Sequence, residues 1–121
     1  MPNLADHQRR VATANRILAR EGVVDAYGHV SLRHPDKPGQ YLLSCSRSPE
    51  LVQPDDVMAF TFDGEPASAE TGRPYLERHI HGGIYAARPD IQAVVHNHAA
   101  AVIPFSLAGV ALRPAIHVAA V

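Results

Sequence analysis

Glu77-Arg-His-Ile-His81 stands a few residues before Arg88-Pro-Asp-Ile-Gln-Ala-Val-Val-His-Asn-His98 in this sequence. The residues around the first segment predict an α-helix, because apolar side chains recur there every three or four positions. Arg88-Pro89-Asp90 ends this helix, since the residue before a proline is disfavoured in the α region. Residues 91–95 are apolar and partly β-branched, which predicts a short buried strand. The predicted core face of the helix carries Leu76, Ile80, Gly83, Ile84 and Ala87.

The same two segments place candidate metal ligands. Side chains alternate along a strand, so His96 and His98 are expected on one side, where both can reach a cation at about 2.0–2.1 Å. Glu77 and His81 are four residues apart on the helix and therefore share a face. The pattern predicts a half-built metal site with a carboxylate nearby. Surface histidines and a solvated helix face are the ordinary alternative.

Composition limits the class of protein. The 121 residues are 46% hydrophobic and 19% charged, which is typical of one globular domain spanning residues 1–121. The net charge of −1 gives no basic surface for nucleic acid. Cys45 is the single cysteine, so no internal disulfide can form and a reducing compartment is favoured. The first residues lack the features of a signal peptide, and the apolar run 99–112 is too short to span a membrane. A cytoplasmic protein with no membrane partner is predicted.

Apolar spacing and turn residues predict the remaining elements. Asn3 is a candidate N-cap for a first helix, and Gly22 is its expected stop. Pro104 is expected to kink or end a later helix. The predicted strands cover residues 27–33, 40–43 and 57–62, and the later helix covers residues 99–107.

The two histidine segments, together with Gly28-His29-Val30-Ser31 and Ser48-Pro49-Glu50-Leu51, resemble the class II aldolase/adducin family. The resemblance runs from about Leu4 to the last residue, and residues 113–117 resemble the next strand of the family. It implies an α/β fold, a three-layer α/β/α domain around a mainly antiparallel central sheet. It also implies a homotetramer with its sites at subunit interfaces. The family's third metal-binding histidine lies beyond Val121, so an incomplete domain is expected.

The resemblance also implies chemistry. His96 and His98 would hold a divalent ion, zinc or manganese, which acts as a Lewis acid and stabilises a carbanion. Glu77 would be the catalytic acid and base. One branch of the family cleaves sugar phosphates by retro-aldol chemistry, and another decarboxylates hydroxylated aromatic or heteroaromatic acids. A sugar-phosphate epimerase and a non-enzymatic, adducin-like interaction module are further alternatives.

Departures from the phosphate-binding pattern indicate the substrate. The phosphate-binding members of the family carry an asparagine where this sequence has His29. They carry a Thr–Gly pair in place of Ser46-Arg47 and two serines in place of Tyr75-Leu76. A guanidinium fits a carboxylate, and an aromatic ring with an aliphatic chain suits a flat apolar body. A carboxylated, ring-containing small molecule is therefore predicted, which favours the decarboxylase. The predicted substrate-binding residues are His29, Ser31, Ser46, Arg47 and Tyr75.

Overall fold

The computed structural model describes residues 1–69 and 72–115. Four strands form one sheet in the order β3-β2-β1-β4, and each neighbouring pair is antiparallel. The elements are α1 (Leu4–Arg20), β1 (His29–Arg33), β2 (Gln40–Ser44), β3 (Val57–Thr61), α2 (Arg78–Ala87), β4 (Ala93–His96) and α3 (Ile103–Leu107).

Successive side chains of β2 enter two different cores. Leu42 packs with Val11 and Ala12 of α1 on one face of the sheet. Tyr41 and Leu43 point to the other face, where the core is completed by residues that include Phe60 and Tyr85. One helix therefore covers each face, since side chains alternate along a strand. The predicted three-layer α/β/α fold with an antiparallel sheet is confirmed.

The first helix begins and ends at the predicted signals. The Asn3 side chain accepts a hydrogen bond from the Asp6 amide at 3.0 Å, and Asp6 accepts one from the Asn3 amide at 2.7 Å. This reciprocal pair is a capping box, which satisfies two amides that a helix start leaves free. Gly22 has φ 69°, a left-handed conformation that glycine adopts at low cost and that follows the last helical turn.

The predicted core face of the central helix is wrong except for Ile84, which packs against the core. Leu76 precedes α2 and is 81% exposed, and Ile80 is exposed on the helix itself. The face that packs on the sheet instead carries His81, Gly82 and Tyr85. The two polar side chains can be buried because both find hydrogen-bond partners in the sheet. Apolar periodicity alone could not identify such a face.

The segments after α2 also differ from their predictions. β4 lies at the edge of the sheet with only Val94 buried, so the predicted buried strand is wrong. Pro104 lies in the first turn of α3 rather than kinking or ending it, because a proline there removes no helical hydrogen bond. Residues 113–115 are in no strand, and the rest of the predicted strand 113–117 lies outside the described residues. No helix in the described part of the chain is long and apolar enough to cross a membrane.

Gly82 sets how closely α2 approaches the sheet layer. A Cβ at this position would lie 2.1 Å from the Phe62 carbonyl oxygen, whereas a Cβ on Gly83 meets nothing within 4 Å. We expect Gly82→Ala to lower the free energy of unfolding by about 1–3 kcal/mol, because backbone must move. Gly83→Ala should instead raise it by up to about 1 kcal/mol through helix propensity. Urea unfolding of both variants measures the difference, and equal effects would contradict the close contact.

Candidate active site

Three side chains meet where β1, β4 and the start of α2 come together. His29 and His96 are cross-strand partners in the β1–β4 pair, and their rings stack with centroids 5.0 Å apart. Glu77, directly before α2, places Oε2 3.2 Å from His29 Nε2 and 3.4 Å from His96 Nε2. The pairing of the strands and the position of the helix start thus bring a carboxylate between two imidazoles.

His98 joins the group from the segment after β4. Its Nε2 lies 3.1 Å from His96 Nε2, with the two rings nearly perpendicular at 87°. Its Nδ1 faces both carboxylate oxygens of Asp25 at 3.2 Å. A carboxylate on one ring nitrogen is the usual support of a metal-ligating histidine, because it leaves the other nitrogen free to bind.

Sequence reasoning missed Asp25. It lies in the turn before β1, where its side chain accepts hydrogen bonds from the Tyr27 and Gly28 amides. The Tyr27 bond is the main reason that the pKa of Asp25 is lowered, and the contact with His98 lowers it further. No spacing in the sequence links Asp25 to His98, so only the fold reveals the pair.

The donor atoms have the spacing of a metal site. A tetrahedral zinc ion with ligands at about 2.0–2.1 Å separates two ligand atoms by about 3.3 Å. The distances of 3.1 Å from His96 to His98 and 3.4 Å from His96 to Glu77 are close to that value. His29 also forms a group of possible metal ligands with Glu77 and His96, and one ligand atom of each lies within 4.8 Å of the other two. These residues fit a small divalent ion that accepts nitrogen and oxygen ligands.

Behind this group, polar side chains are buried in the core. His29 Nδ1 lies 2.7 Å from His81 Nε2, and His81 Nδ1 lies 2.6 Å from the Ser31 hydroxyl. Ser31 also contacts the Tyr85 hydroxyl at 2.8 Å. Burial lowers the pKa of His29 and lowers the pKa of His81 to about 3, so both rings are neutral at neutral pH.

The predicted substrate-binding residues occupy two different layers. His29 and Ser31 have no exposed surface, so the structure places them behind the cleft rather than on its wall. Ser46, Arg47 and Tyr75 line a cleft of about 560 Å³ in front of the site. The same cleft is lined by Ala26, Tyr27, Ser48, Leu76, Glu77 and His98.

Tyr75 links the cleft wall to the buried layer. Its ring packs against His29 with centroids 4.4 Å apart, and its hydroxyl donates to the Arg47 carbonyl and accepts from the Arg47 amide at 3.2 Å. The Arg47 guanidinium is held by Asp56, with Nη1 at 2.9 and 3.1 Å from the two carboxylate oxygens. Tyr75 and Asp56 therefore fix the loop that carries Arg47.

Comparison with known proteins identifies the family. The sequence pattern of the family described as the class II aldolase and adducin N-terminal domain matches residues 9–121. The chain belongs to this family. The matched range contains both histidine segments and the Gly28–Ser31 motif, so the resemblance drawn from those residues is confirmed.

The similar proteins include two named as decarboxylases and one named as an aldolase. Decarboxylase tropJ of Talaromyces stipitatus is 41% identical over 103 residues, covering 84% of this chain and 39% of that protein. The 3,4-dihydroxyphthalate decarboxylase of Arthrobacter keyseri is 34% identical, covering 93% of this chain and 48% of that protein. The L-fuculose 1-phosphate aldolase of Glaciozyma antarctica has the same fold, with a TM-score of 0.79 at 25% identity, covering 93% of this chain and 49% of that one. The chain spans about half or less of the length of these relatives.

The neutral state of buried His81 predicts a pH dependence of stability. Unfolding restores an ordinary pKa of about 6.5, so the unfolded chain binds more protons than the folded one between that pH and about 3. We expect the free energy of unfolding to fall as the pH drops below about 6.5, by up to about 1.4 kcal/mol per pH unit for this residue.

Urea unfolding at several pH values, with a chelator present, measures this dependence. His81→Gln should flatten it, because glutamine does not titrate. His79→Gln, at an exposed position on the same helix, is the matched control and should leave it unchanged. An unaltered slope in His81→Gln would show that His81 is not the buried neutral group.

Proposed function

We propose that the full protein is a metal-dependent carbon–carbon lyase that decarboxylates a hydroxylated aromatic or heteroaromatic acid. The observation that carries the proposal is the grouping of His96, His98 and Glu77 at the edge of a cleft with an aromatic and apolar wall. Two relatives named as decarboxylases support this choice of reaction. A non-enzymatic, adducin-like role is disfavoured, because such a module does not require these potential metal ligands to lie close together.

His96 and His98 would hold the ion, with Asp25 supporting His98 and the Glu77 carboxylate 3.4 Å from His96 Nε2. When bound, a divalent ion such as zinc or manganese supplies Lewis-acid stabilisation of the negative charge that forms on loss of CO₂. Imidazole and carboxylate suit either metal, so the identity of the ion is not part of the proposal.

Glu77 would move the proton. Its Oε2 lies 3.2 Å from His29 Nε2 and 3.4 Å from His96 Nε2, and the half-exposed carboxylate faces the cleft. Glu77 takes the proton of the substrate hydroxyl and returns it to the ring carbon from which CO₂ departs. The product then leaves as a phenolate, which is protonated by solvent. A positioned carboxylate of this kind typically contributes about 10²–10⁴-fold to the rate.

The cleft wall suits a planar carboxylated ring. Tyr27, Tyr75 and Leu76 offer aromatic and aliphatic surface. Asp56 contacts only Nη1 of Arg47. The Nε and Nη2 atoms of Arg47 make no hydrogen bond within residues 1–69 and 72–115. Those two donors have the fork geometry that binds a carboxylate in bidentate fashion. Arg47 would therefore hold a carboxylate of the substrate.

A sugar-phosphate aldolase is the second candidate. The fold it shares with the L-fuculose 1-phosphate aldolase favours it, and Ser46 and Ser48 place hydroxyl groups on the cleft wall that could contact a phosphate. Retro-aldol cleavage would use the same ion and the same carboxylate. The homotetramer that the resemblance implies and the cytoplasmic location that the composition predicts both stay predictions.

Metal binding is the first test. We expect the full protein to retain about one divalent ion per chain after gentle purification, as donor spacing of this kind predicts. The double variant His96→Ala/His98→Ala should lose it, because two of the imidazole ligands are gone. His79→Ala removes an exposed histidine elsewhere and should keep the ion. Elemental analysis of the three proteins decides, and equal metal content in all of them would reject the site.

Turnover by the metal-loaded full protein is the second test. Hydroxylated aromatic acids, with 3,4-dihydroxyphthalate among them, should release CO₂ faster than L-fuculose 1-phosphate is cleaved. Glu77→Gln should keep its metal and lose about 10²–10⁴-fold in rate. Faster cleavage of the sugar phosphate, with no CO₂ from any acid, would favour the aldolase instead. A Glu77→Gln variant with the original rate would remove Glu77 from the mechanism.

A further inference from the structure

A chain of four hydrogen bonds leads from Glu77 into the core. It passes from the carboxylate to His29, from His29 to His81, from His81 to Ser31 and from Ser31 to Tyr85, with separations of 3.2, 2.7, 2.6 and 2.8 Å. The four residues behind Glu77 are at most 1% exposed. Solvent therefore cannot replace a missing partner at any of these four residues.

The chain of hydrogen bonds forms because the side-chain spacing on β1 fits that on α2. His29 and Ser31 are two residues apart on β1 and share one face of the sheet. His81 and Tyr85 are four residues apart on α2 and share the face that packs against it. The helix residues thus interleave with the strand residues, and the close approach allowed by Gly82 brings them within hydrogen-bond distance.

Only one direction of donation satisfies every bond of this chain. An ionised Glu77 can only accept, so His29 must donate from Nε2–H. A neutral imidazole has a single N–H, which makes His29 Nδ1 an acceptor from His81 Nε2–H. His81 Nδ1 then accepts from the Ser31 hydroxyl, whose oxygen accepts from Tyr85. Because a buried polar atom without a hydrogen-bond partner is strongly destabilising, this assignment of donors and acceptors is favoured over the others.

We propose that His81 and Ser31 are positioning residues that hold His29 in its Nε2–H tautomer, so that His29 fixes one oxygen of Glu77. The other oxygen is then free for proton transfer in the cleft. This inference rests on the proposed role of Glu77 and extends it to side chains that never touch the substrate. It assigns His29 to the support of the carboxylate and not to the metal.

The opposite tautomer has a distinct meaning. If His29 bound the ion through Nε2, its proton would move to Nδ1 and every hydrogen bond behind it would reverse. The tautomer of His29 in the metal-loaded protein therefore separates a positioning residue from a ligand. Nitrogen-15 NMR of labelled histidine distinguishes the two forms and does not depend on turnover.

Two substitutions of His81 form a matched pair. The amide introduced by His81→Gln can still donate to His29 Nδ1, whereas His81→Leu has a similar volume and no donor. We expect the wild type and His81→Gln to show the Nε2–H tautomer of His29. His81→Leu should show a mixture of tautomers and a kcat about 10–100-fold lower, with KM and metal content nearly unchanged.

A second variant covers the case in which His81→Leu does not fold. Ser31→Ala removes the hydroxyl that donates to His81 and should also release the His29 tautomer. Tyr41→Phe is its control, because the Tyr41 hydroxyl is likewise buried but donates to the Arg78 carbonyl outside the chain of bonds. Tyr41→Phe should leave both the tautomer and kcat as they are.

The possible outcomes separate this inference from the proposed function. An Nδ1–H tautomer of His29 in the wild type, or the same tautomer in wild type, His81→Leu and Ser31→Ala, would overturn the positioning role. An altered tautomer with unchanged kcat would also overturn it, although decarboxylation would stand. A third outcome is that His81→Leu and Ser31→Ala lose the Nε2–H tautomer of His29 while the wild type decarboxylates none of the acids. This outcome would support the chain of hydrogen bonds and reject only the proposed reaction.

Discussion

The antiparallel pairing of β1 with β4 places His29 opposite His96, and the rest of the site depends on that register. A shift of one residue would turn the side chains of β4 to the opposite face of the sheet and remove His96 from Glu77. Because β4 is an edge strand, the pairing with β1 is the only one that fixes it among residues 1–69 and 72–115. The same register brings His98 to Asp25 on the turn before β1.

Close packing of α2 is the second requirement. The helix supplies His81 and Tyr85 to the buried hydrogen bonds, and its start carries Glu77. Gly82 permits the short distance to the Phe62 carbonyl that this arrangement needs. The helix therefore buries polar groups on the face that an ordinary helix would cover with aliphatic ones. Stability and positioning of the carboxylate come from the same contacts.

The site has a buried layer, which contains His29 and His81, and an exposed layer on the cleft wall, and the two layers differ in their contact with solvent. The buried histidines stay neutral because charging them would require desolvation of an imidazolium, so each keeps a single defined N–H. The groups on the cleft wall, including Glu77, His98 and Arg47, keep contact with solvent and can meet a substrate. A buried interior behind an accessible front suits the proton transfer that we propose for Glu77.

Local chemistry in the sequence was enough to predict several features. Asn3 and Gly22 mark the first helix because caps depend on neighbouring residues alone, and the alternation of side chains places His96 with His98. The family pattern predicted the fold, and the catalytic role of Glu77 that it implies stays a prediction. The contacts of His98 with Asp25 and of His29 with His81 join residues 73 and 52 positions apart, and no local period encodes them. The buried face of α2 was misjudged for a related reason, since a polar side chain is buried only when a distant partner satisfies it. The sequence by itself thus determined most of the helices and strands and the candidate ligands. The tertiary structure decided which polar groups meet, because hydrogen bonding in the core depends on packing between elements.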